Sequence, residues 1–289
     1  MASRPTGTGV GWRPEIASVL AGTAGLGFCE VIAESLDPAA DLPAPLRSQA
    51  AGGTTVIPHG VHLSLGGTEP VDPARVTHLA ACAAAVDAPI VSEHVAFVRA
   101  GGREAGHLLP LPRTRDALDV LAANIARTRT ELDAELAVEP IAALFDWPED
   151  EFTEAEFLTR LLDRTGALLL LDVANVHANA VNRGRDARAD LDAMPLDRIA
   201  YCHVAGGARH DGYYHDTHTD PMPAPVLDLL AHLVQRCPTV PPVMLERDGR
   251  HPPAAALRAE LAAIAAVTGH PAPHELPAGS ERPGVGSRR

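Results

Sequence analysis

Short apolar runs rich in Val, Ile and Leu recur along the chain, separated by segments whose apolar residues repeat every three or four positions. Runs of that length bounded by Gly, Pro and polar residues predict buried strands, and the three-to-four spacing predicts amphipathic helices. The predicted strands are TGVGW (8–12), GFCEVIAE (27–34), TVIPHGVHLS (55–64), PIVSEHVAF (89–97), ELAVEP (135–140), ALLLLDVAN (167–175), RIAYCHVAG (198–206) and PPVMLERD (241–248). Helical spacing is clearest over 72–87, 114–132, 153–164, 222–236 and 254–268. Thr114 and Thr153 stand at N-cap positions, and TEAE at 153–156 has the form of a capping box closed by Glu156.

Strands alternating with helices imply parallel strands joined by crossovers. Eight such units over residues 8–268 fit a single α/β domain, a (β/α)8 barrel, whose usual size is about 250 residues. The rival is a doubly wound open sheet. It calls for a glycine-rich phosphate turn after its first strand, and TGTGVGW offers the glycines without an acidic strand end at the right distance. Residues 269–289, rich in Pro, Gly and Ser, are expected to form a disordered tail, and residues 1–7 a mobile start.

Composition narrows the function. A formal net charge of -13 lacks the basic stripe that a nucleic-acid binder needs, and it is compatible with small-molecule, peptide or protein partners. The widely spaced Cys29, Cys82, Cys202 and Cys237 form no CxxC pair and read as reduced thiols. No signal-like apolar core and no run near the roughly 18 residues of a membrane helix is present, so a cytoplasmic protein with no membrane or nucleic-acid partner is expected. Histidine is over-represented, at 14 residues. There is no GxSxG elbow and no GxxxxGK[ST] loop.

Where the ionisable residues fall is more telling. Predicted strands close on Glu30 and Glu34, His59 and His62, Glu93 and His94, Glu139, Asp172 and Asn175, His203, and Glu246 and Asp248. In a (β/α)8 barrel the C-terminal strand ends converge on one mouth, where active sites sit. Taken singly, each residue is most simply a hydrogen-bonded structural group. Jointly, so many carboxylates buried without cations would cost on the order of several kcal/mol per uncompensated charge, which metal ions offset.

The stretch HVAGGARHDGYYHDTHTD (203–220) adds to the pattern. His203 closes a strand, while Asp216 and His218, two apart in an extended segment, would face the same way and grip one ion. The intervening GG and DGYY would let the loop fold back over the mouth, leaving His210, Asp211, His215 and Asp220 to solvent. Nitrogen and oxygen donors in mixture suit iron, manganese or zinc better than calcium or magnesium. Cys202 and Cys29, each next to a donor on a strand, should point away from the mouth. Glu30 and Glu34 are expected on one side of their strand, as second partners of the metal ligands or with Glu30 paired to an arginine such as Arg13.

The motifs HGVHLSLGG, SEHVAF, LPLPRTRDAL, LAVEP, LLLLDVANVHANAVNRG, HVAGG, DTHTDPMPAPVLDLL and MLERD together resemble the multinuclear non-haem iron-dependent oxidative enzymes, relatives of the methanobactin-biosynthesis oxidase. The resemblance runs from about residue 8 to 268, with the motifs in the family's order. It implies a xylose-isomerase-like TIM barrel holding two or three irons of mixed Fe2+/Fe3+ valence. It also implies O2-dependent modification of a ribosomally made precursor peptide, at cysteine or another side chain, with a leader-binding partner protein in many members. By the same resemblance His59 and His94 bind one iron and Glu139 bridges to the next. Asp172, His203 and Glu246 bind the second, and Asn175, Asp216 and His218 a third, less firmly held ion. The catalytic set implied is His59, His94, Glu139, Asp172, His203 and Glu246.

The chain departs from the family pattern beside these residues, with Pro140 in place of the usual Asn, Ala174 in place of the first of two Asn, and Ser35 after Glu34. These changes bear on substrate choice more than on metal binding. Two other readings compete: a divalent-metal hydrolase or isomerase on a related barrel, endonuclease-like with zinc, and a metal-dependent binding module without chemistry.

Overall fold

In the computed structural model of the chain, which describes residues 4–277, strands β1 (Thr8–Gly11), β2 (Phe28–Ile32), β3 (Thr55–Gly60), β4 (Ile90–His94), β5 (Glu135–Glu139), β6 (Leu168–Asp172), β7 (Ile199–Val204) and β8 (Val243–Leu245) close into one barrel. Every pairing around the ring is parallel, and β1 meets both β2 and β8 to complete it. Around it lie α1 (Ala17–Ala21), α2 (Ala44–Ala51), α3 (Pro73–Ala85), α4 (Arg115–Arg129), α5 (Glu154–Thr165), α6 (Val173–Arg183), α7 (Ala187–Ala193), α8 (Ala224–Arg236) and α9 (Ala254–Thr268). Among the described residues no helix is long and apolar enough to cross a membrane.

Local signals act where expected. Thr114 caps α4 by accepting from the Ala117 N–H, and Thr153 and Glu156 make both bonds of the capping box on α5. Three features differ from the sequence reading. The run 167–175 stops being strand at Asp172, because that side chain accepts from the Ala174 and Asn175 N–H groups and starts α6 at Val173. Val and Ala fit a buried strand or a buried helix equally, so periodicity alone does not locate that boundary. Two antiparallel hairpins, Phe97–Ala100 with Arg103–Leu109 and Ala208–His210 with Tyr213–His215, interrupt the β/α repeat after β4 and β7.

The ends are the third difference. The tail expected from 269 is held as far as the structure describes it: His274 and Glu275 pair with Ala24 and Thr23, and the His270 ring bonds the Pro241 carbonyl. The first residues are held too, with Arg4 on Glu135. Residues 278–289 and 1–3, also expected to be loose, lie outside the described residues.

Two apolar layers hold the barrel. The outer one, between strands and helices, takes Val31, Val91, Leu169, Leu171 and Val204 from the strands with Leu121, Leu161 and Leu230 from the helices. The inner one is a plug of Phe28, Ile57, Ile90, Ala137, Leu170, Tyr201 and Met244, one from each of β2 to β8. The first strand contributes no bulk: a Cβ at Gly9 would lie 2.6 Å from the Phe28 ring. Gly9 of TGVGW therefore makes room for an aromatic ring.

Candidate metal centre

The site stands one pleat above that plug. Side chains on a strand face the same way every second residue, so each of β2 to β8 follows its inner apolar residue with a polar one two positions on. Phe28 gives Glu30, Ile57 gives His59, Ile90 gives Ser92 and then His94, Ala137 gives Glu139, Leu170 gives Asp172, Tyr201 gives His203, and Met244 leads to Glu246. Glu30, His59, His94, Glu139, Asp172, His203 and Glu246 are all buried. Cys29 and Cys202 are buried in the outer layer, away from the mouth.

Two ligands each ~2.1 Å from one ion lie about 3.0–3.4 Å apart, and the donor pairs around Glu139 and His203 stand at 3.0–3.6 Å, at or slightly beyond that spacing. Glu139 sits in the middle: its Oε2 is 3.6 Å from His59 Nε2 and 3.4 Å from His94 Nε2, while its Oε1 is 3.6 Å from His203 Nδ1. His203 Nδ1 is also 3.0 Å from Glu246 Oε2. Donor atoms of His59, His94 and Glu139 lie close enough to hold one ion, as do those of Glu139, Asp172 and His203, and those of Asp172, Asp216 and His218. Glu139 and Asp172 each belong to two of these groups, with two carboxylate oxygens to share.

Asp216 and His218 meet, but not as an extended pair. His218 has φ +54°, in the left-handed region, and the turn brings its Nε2 against Asp216 and to 3.8 Å from Asp172 Oδ2. The hairpin before them turns through Asp211 and Gly212, both at positive φ, as two-residue hairpins favour. It is pinned to α6 by Asn182, whose Oδ1 accepts from Tyr214 N–H at 2.7 Å and whose Nδ2 donates to Tyr214 O at 2.8 Å. His210 and Asp211 are exposed, and Asp220 pairs with Arg250.

The donor set passes a test of fit to metal ions. Glu139 Oε2, Asp172 Oδ2, Asn175 Oδ1, His203 Nδ1 and Asp216 Oδ1 are buried and make no hydrogen bond, an arrangement that costs free energy unless something else satisfies them. They belong to the residues grouped around the mouth, and in Asp172, Asn175, His203 and Asp216 the other polar atom is bonded to protein. Asp172 Oδ1 caps α6, and Asn175 Nδ2 donates to Pro140 O at 3.2 Å.

The electrostatics agree. Burial holds His94 down at about 4, leaving it neutral near pH 7, the form that binds metals. Burial also opposes charge on His203 and His218, but the surrounding carboxylates outweigh it and raise both well above the usual imidazole range. Burial, reinforced by Asp216, raises Asp172 well above the usual carboxylate range. Glu246, despite its burial, is held well below that range by His218 and His203, and Glu139 is lowered by His203, His94 and His59. Carboxylates and imidazoles this crowded must share protons, and cations take the place of those protons when metal binds.

Several residues sit elsewhere than the sequence suggested. Glu34 is not beside Glu30: it lies in a 3-10 turn (Ala33–Ser35) and accepts from the Val61 and His62 N–H groups, both at 3.0 Å. Arg13 pairs with Glu246 at 3.3 Å and with Asp248, while the hydrogen-bond partners of Glu30 are Tyr201 and His203. Glu93 faces away from the mouth, and burial raises its carboxyl well above the ordinary range. Tyr201 and Ser92 join the site without a sequence signal, since a Tyr or Ser inside a strand reads as ordinary packing.

Barrel and polar mouth together define a xylose-isomerase-like fold. A xylose isomerase domain protein from Planctomyces limnophilus superposes with a TM-score of 0.57 at 12% identity, covering 91% of this chain and 97% of that one. Endonuclease IV from Thermus thermophilus gives 0.54 at 17%, covering 89% and 99%. More specifically, the chain belongs to the family of RiPP precursor modification enzymes MbnB/TglH/ChrH, whose model matches residues 7–269. A UPF0276 protein of Streptomyces avermitilis is 52% identical over 89% of this chain, which spans 54% of that protein's length. Another, from Chromobacterium violaceum, is 33% identical over 93% of this chain and 97% of its own.

Proposed function

We propose that this chain uses a cluster of two or three irons and dioxygen to modify a ribosomally made precursor peptide oxidatively, at cysteine or another side chain. The observation that carries the reading is the ring of buried donor atoms at the barrel mouth that make no hydrogen bond within the protein. When bound there, iron would supply the one-electron and dioxygen chemistry that side chains lack. His59, His94 and Glu139 would hold one ion. Asp172 and His203 would hold a second sharing Glu139, joined by Glu246, which lies 3.0 Å from His203 Nδ1. Asp216 and His218 would hold a third, joined by the unpartnered Asn175 Oδ1. Glu139 would fix the distance between the first two positions. The hairpin Ala208–His215 and Arg13 border the mouth and would help exclude water from it. A leader-binding partner protein would present the peptide.

His59→Ala and Asp172→Ala should each lose iron and activity together, read by metal analysis, Mössbauer spectra and oxygen uptake with a cysteine-containing precursor peptide. Full activity at normal iron content in either variant would overturn the assignment. The same nitrogen and oxygen donors also suit zinc. Protein that takes up zinc in preference to iron when both are supplied, and consumes no oxygen, would instead favour a metal-dependent hydrolase or isomerase.

A further inference from the structure

Beneath the donor ring runs a buried hydrogen-bond chain that none of the ligand roles uses. Glu30 Oε2 lies 2.6 Å from Tyr201 Oη and 2.9 Å from His203 Nε2. Tyr201 Oη is 2.8 Å from Ser92 Oγ, which is 2.7 Å from His59 Nδ1. Glu30, Ser92, Tyr201 and His203 are fully buried and His59 nearly so. We propose that Glu30 is the common acceptor that fixes the ring orientation and tautomer of two metal-binding histidines, directly for His203 and through Tyr201 and Ser92 for His59.

The direction of the chain follows from donor counting. A carboxylate only accepts, and each hydroxyl has one proton. Tyr201 gives its proton to Glu30 and so accepts from Ser92; Ser92 in turn accepts from His59 Nδ1–H. On the other side His203 Nε2–H donates to Glu30. In the neutral form that binds metal, each ring is left with one bare nitrogen, and both bare nitrogens face the site: His59 Nε2 towards Glu139, and His203 Nδ1 towards Glu139 and Glu246. Glu30 Oε1 has no partner, so both arms converge on Oε2. His59 and His203 belong to different donor groups, so one carboxylate sets the ligating nitrogen at two metal positions. Tyr201 serves both layers: its ring packs edge-on against Phe28 at 5.6 Å in the plug, and only its hydroxyl enters the chain. Glu30, Ser92 and Tyr201 are positioning residues.

The inference rests on the metal-centre reading, and the test separates the two. Zinc, which is diamagnetic, is the probe, with 15N-histidine NMR on the full chain and zinc titration as readouts. In the zinc-loaded wild type, His59 should carry its proton on Nδ1 and His203 on Nε2, both exchanging slowly with water. In Tyr201→Phe and Ser92→Ala, the His59 proton should exchange at least ~10-fold faster and zinc affinity should fall by ~10–100-fold, the usual range for loss of a ligand's supporting hydrogen bond. The His203 proton should stay slow in both. Tyr201→Phe keeps the ring, and Ser92→Ala tests the same arm should the first variant fold poorly. Unchanged exchange and affinity in both variants, or the opposite tautomers in the wild type, would overturn the proposal while leaving the metal centre intact. A wild type that takes up neither zinc nor iron would overturn the metal centre, and this inference with it.

Discussion

Gly9 shows how closely single positions are fitted to the site's floor. Because a Cβ there would meet the Phe28 ring at 2.6 Å, Gly9→Ala should destabilise the protein by about 1–3 kcal/mol, the usual cost of overpacking, as a shift of the urea midpoint. At the mouth, on the proposed three-ion assignment, Asp216→Ala should reduce occupancy of the third position and spare the other two, giving a lower metal-to-protein ratio. The polar residues that close strands were legible as donors because they repeat the strand period, and Asn175 through the family resemblance. Tyr201 and Ser92 were not. Their part depends on the barrel bringing β2, β4 and β7 face to face across its interior, and no local pattern encodes that. Of the two roles the sequence leaves open for Glu30, pairing with an arginine such as Arg13 is not the one seen, because the path of the chain after β1 takes Arg13 to Glu246 and Asp248.

Among the elements, strands and capped helices were the readable part, because apolar runs and Thr caps are local signals. The start of α6 and the two hairpins were not, since Val173 and Ala174 suit either state and hairpin pairing is decided by turn and packing. The hairpin Ala208–His215 carries the chain to Asp216 and His218, and Asn182 is what clips it to α6. Asn182→Ala should leave the Tyr214 backbone groups without that partner, at about 1–3 kcal/mol. Amide exchange across 208–215 should then rise at least ~10-fold, and the third ion should bind more weakly. Thr153→Ala, remote from the mouth, should cost about 1 kcal/mol of stability through its lost cap and leave metal content unchanged. That contrast separates loosening of the site from general destabilisation.

At the scale of the whole molecule, closure of the barrel was legible from the count and spacing of strand–helix units, because eight parallel strands have few other ways to bury both faces. The anchored ends were not, since the pairing of His274 with Ala24 is a contact between distant parts of the chain. If the mouth holds the ions proposed for it, a cluster of donors this buried should make the stability of the fold depend on them. Treatment with a strong chelator should lower the thermal midpoint, and restoring ferrous iron or zinc should raise it again. Metal in thousandfold excess over its dissociation constant would contribute about 4 kcal/mol. A midpoint indifferent to chelation would argue that nothing binds there.

Asp172 divides its two oxygens between duties: one receives the first amides of α6, while the other is left facing the mouth. On the proposed assignment, capture of a cation and the winding of a helix thus hang on a single side chain. Emptying and filling the cluster should be felt outside it, as fraying and tightening of the first turn of α6. Any partner resting on that helix could then tell a charged barrel from a vacant one.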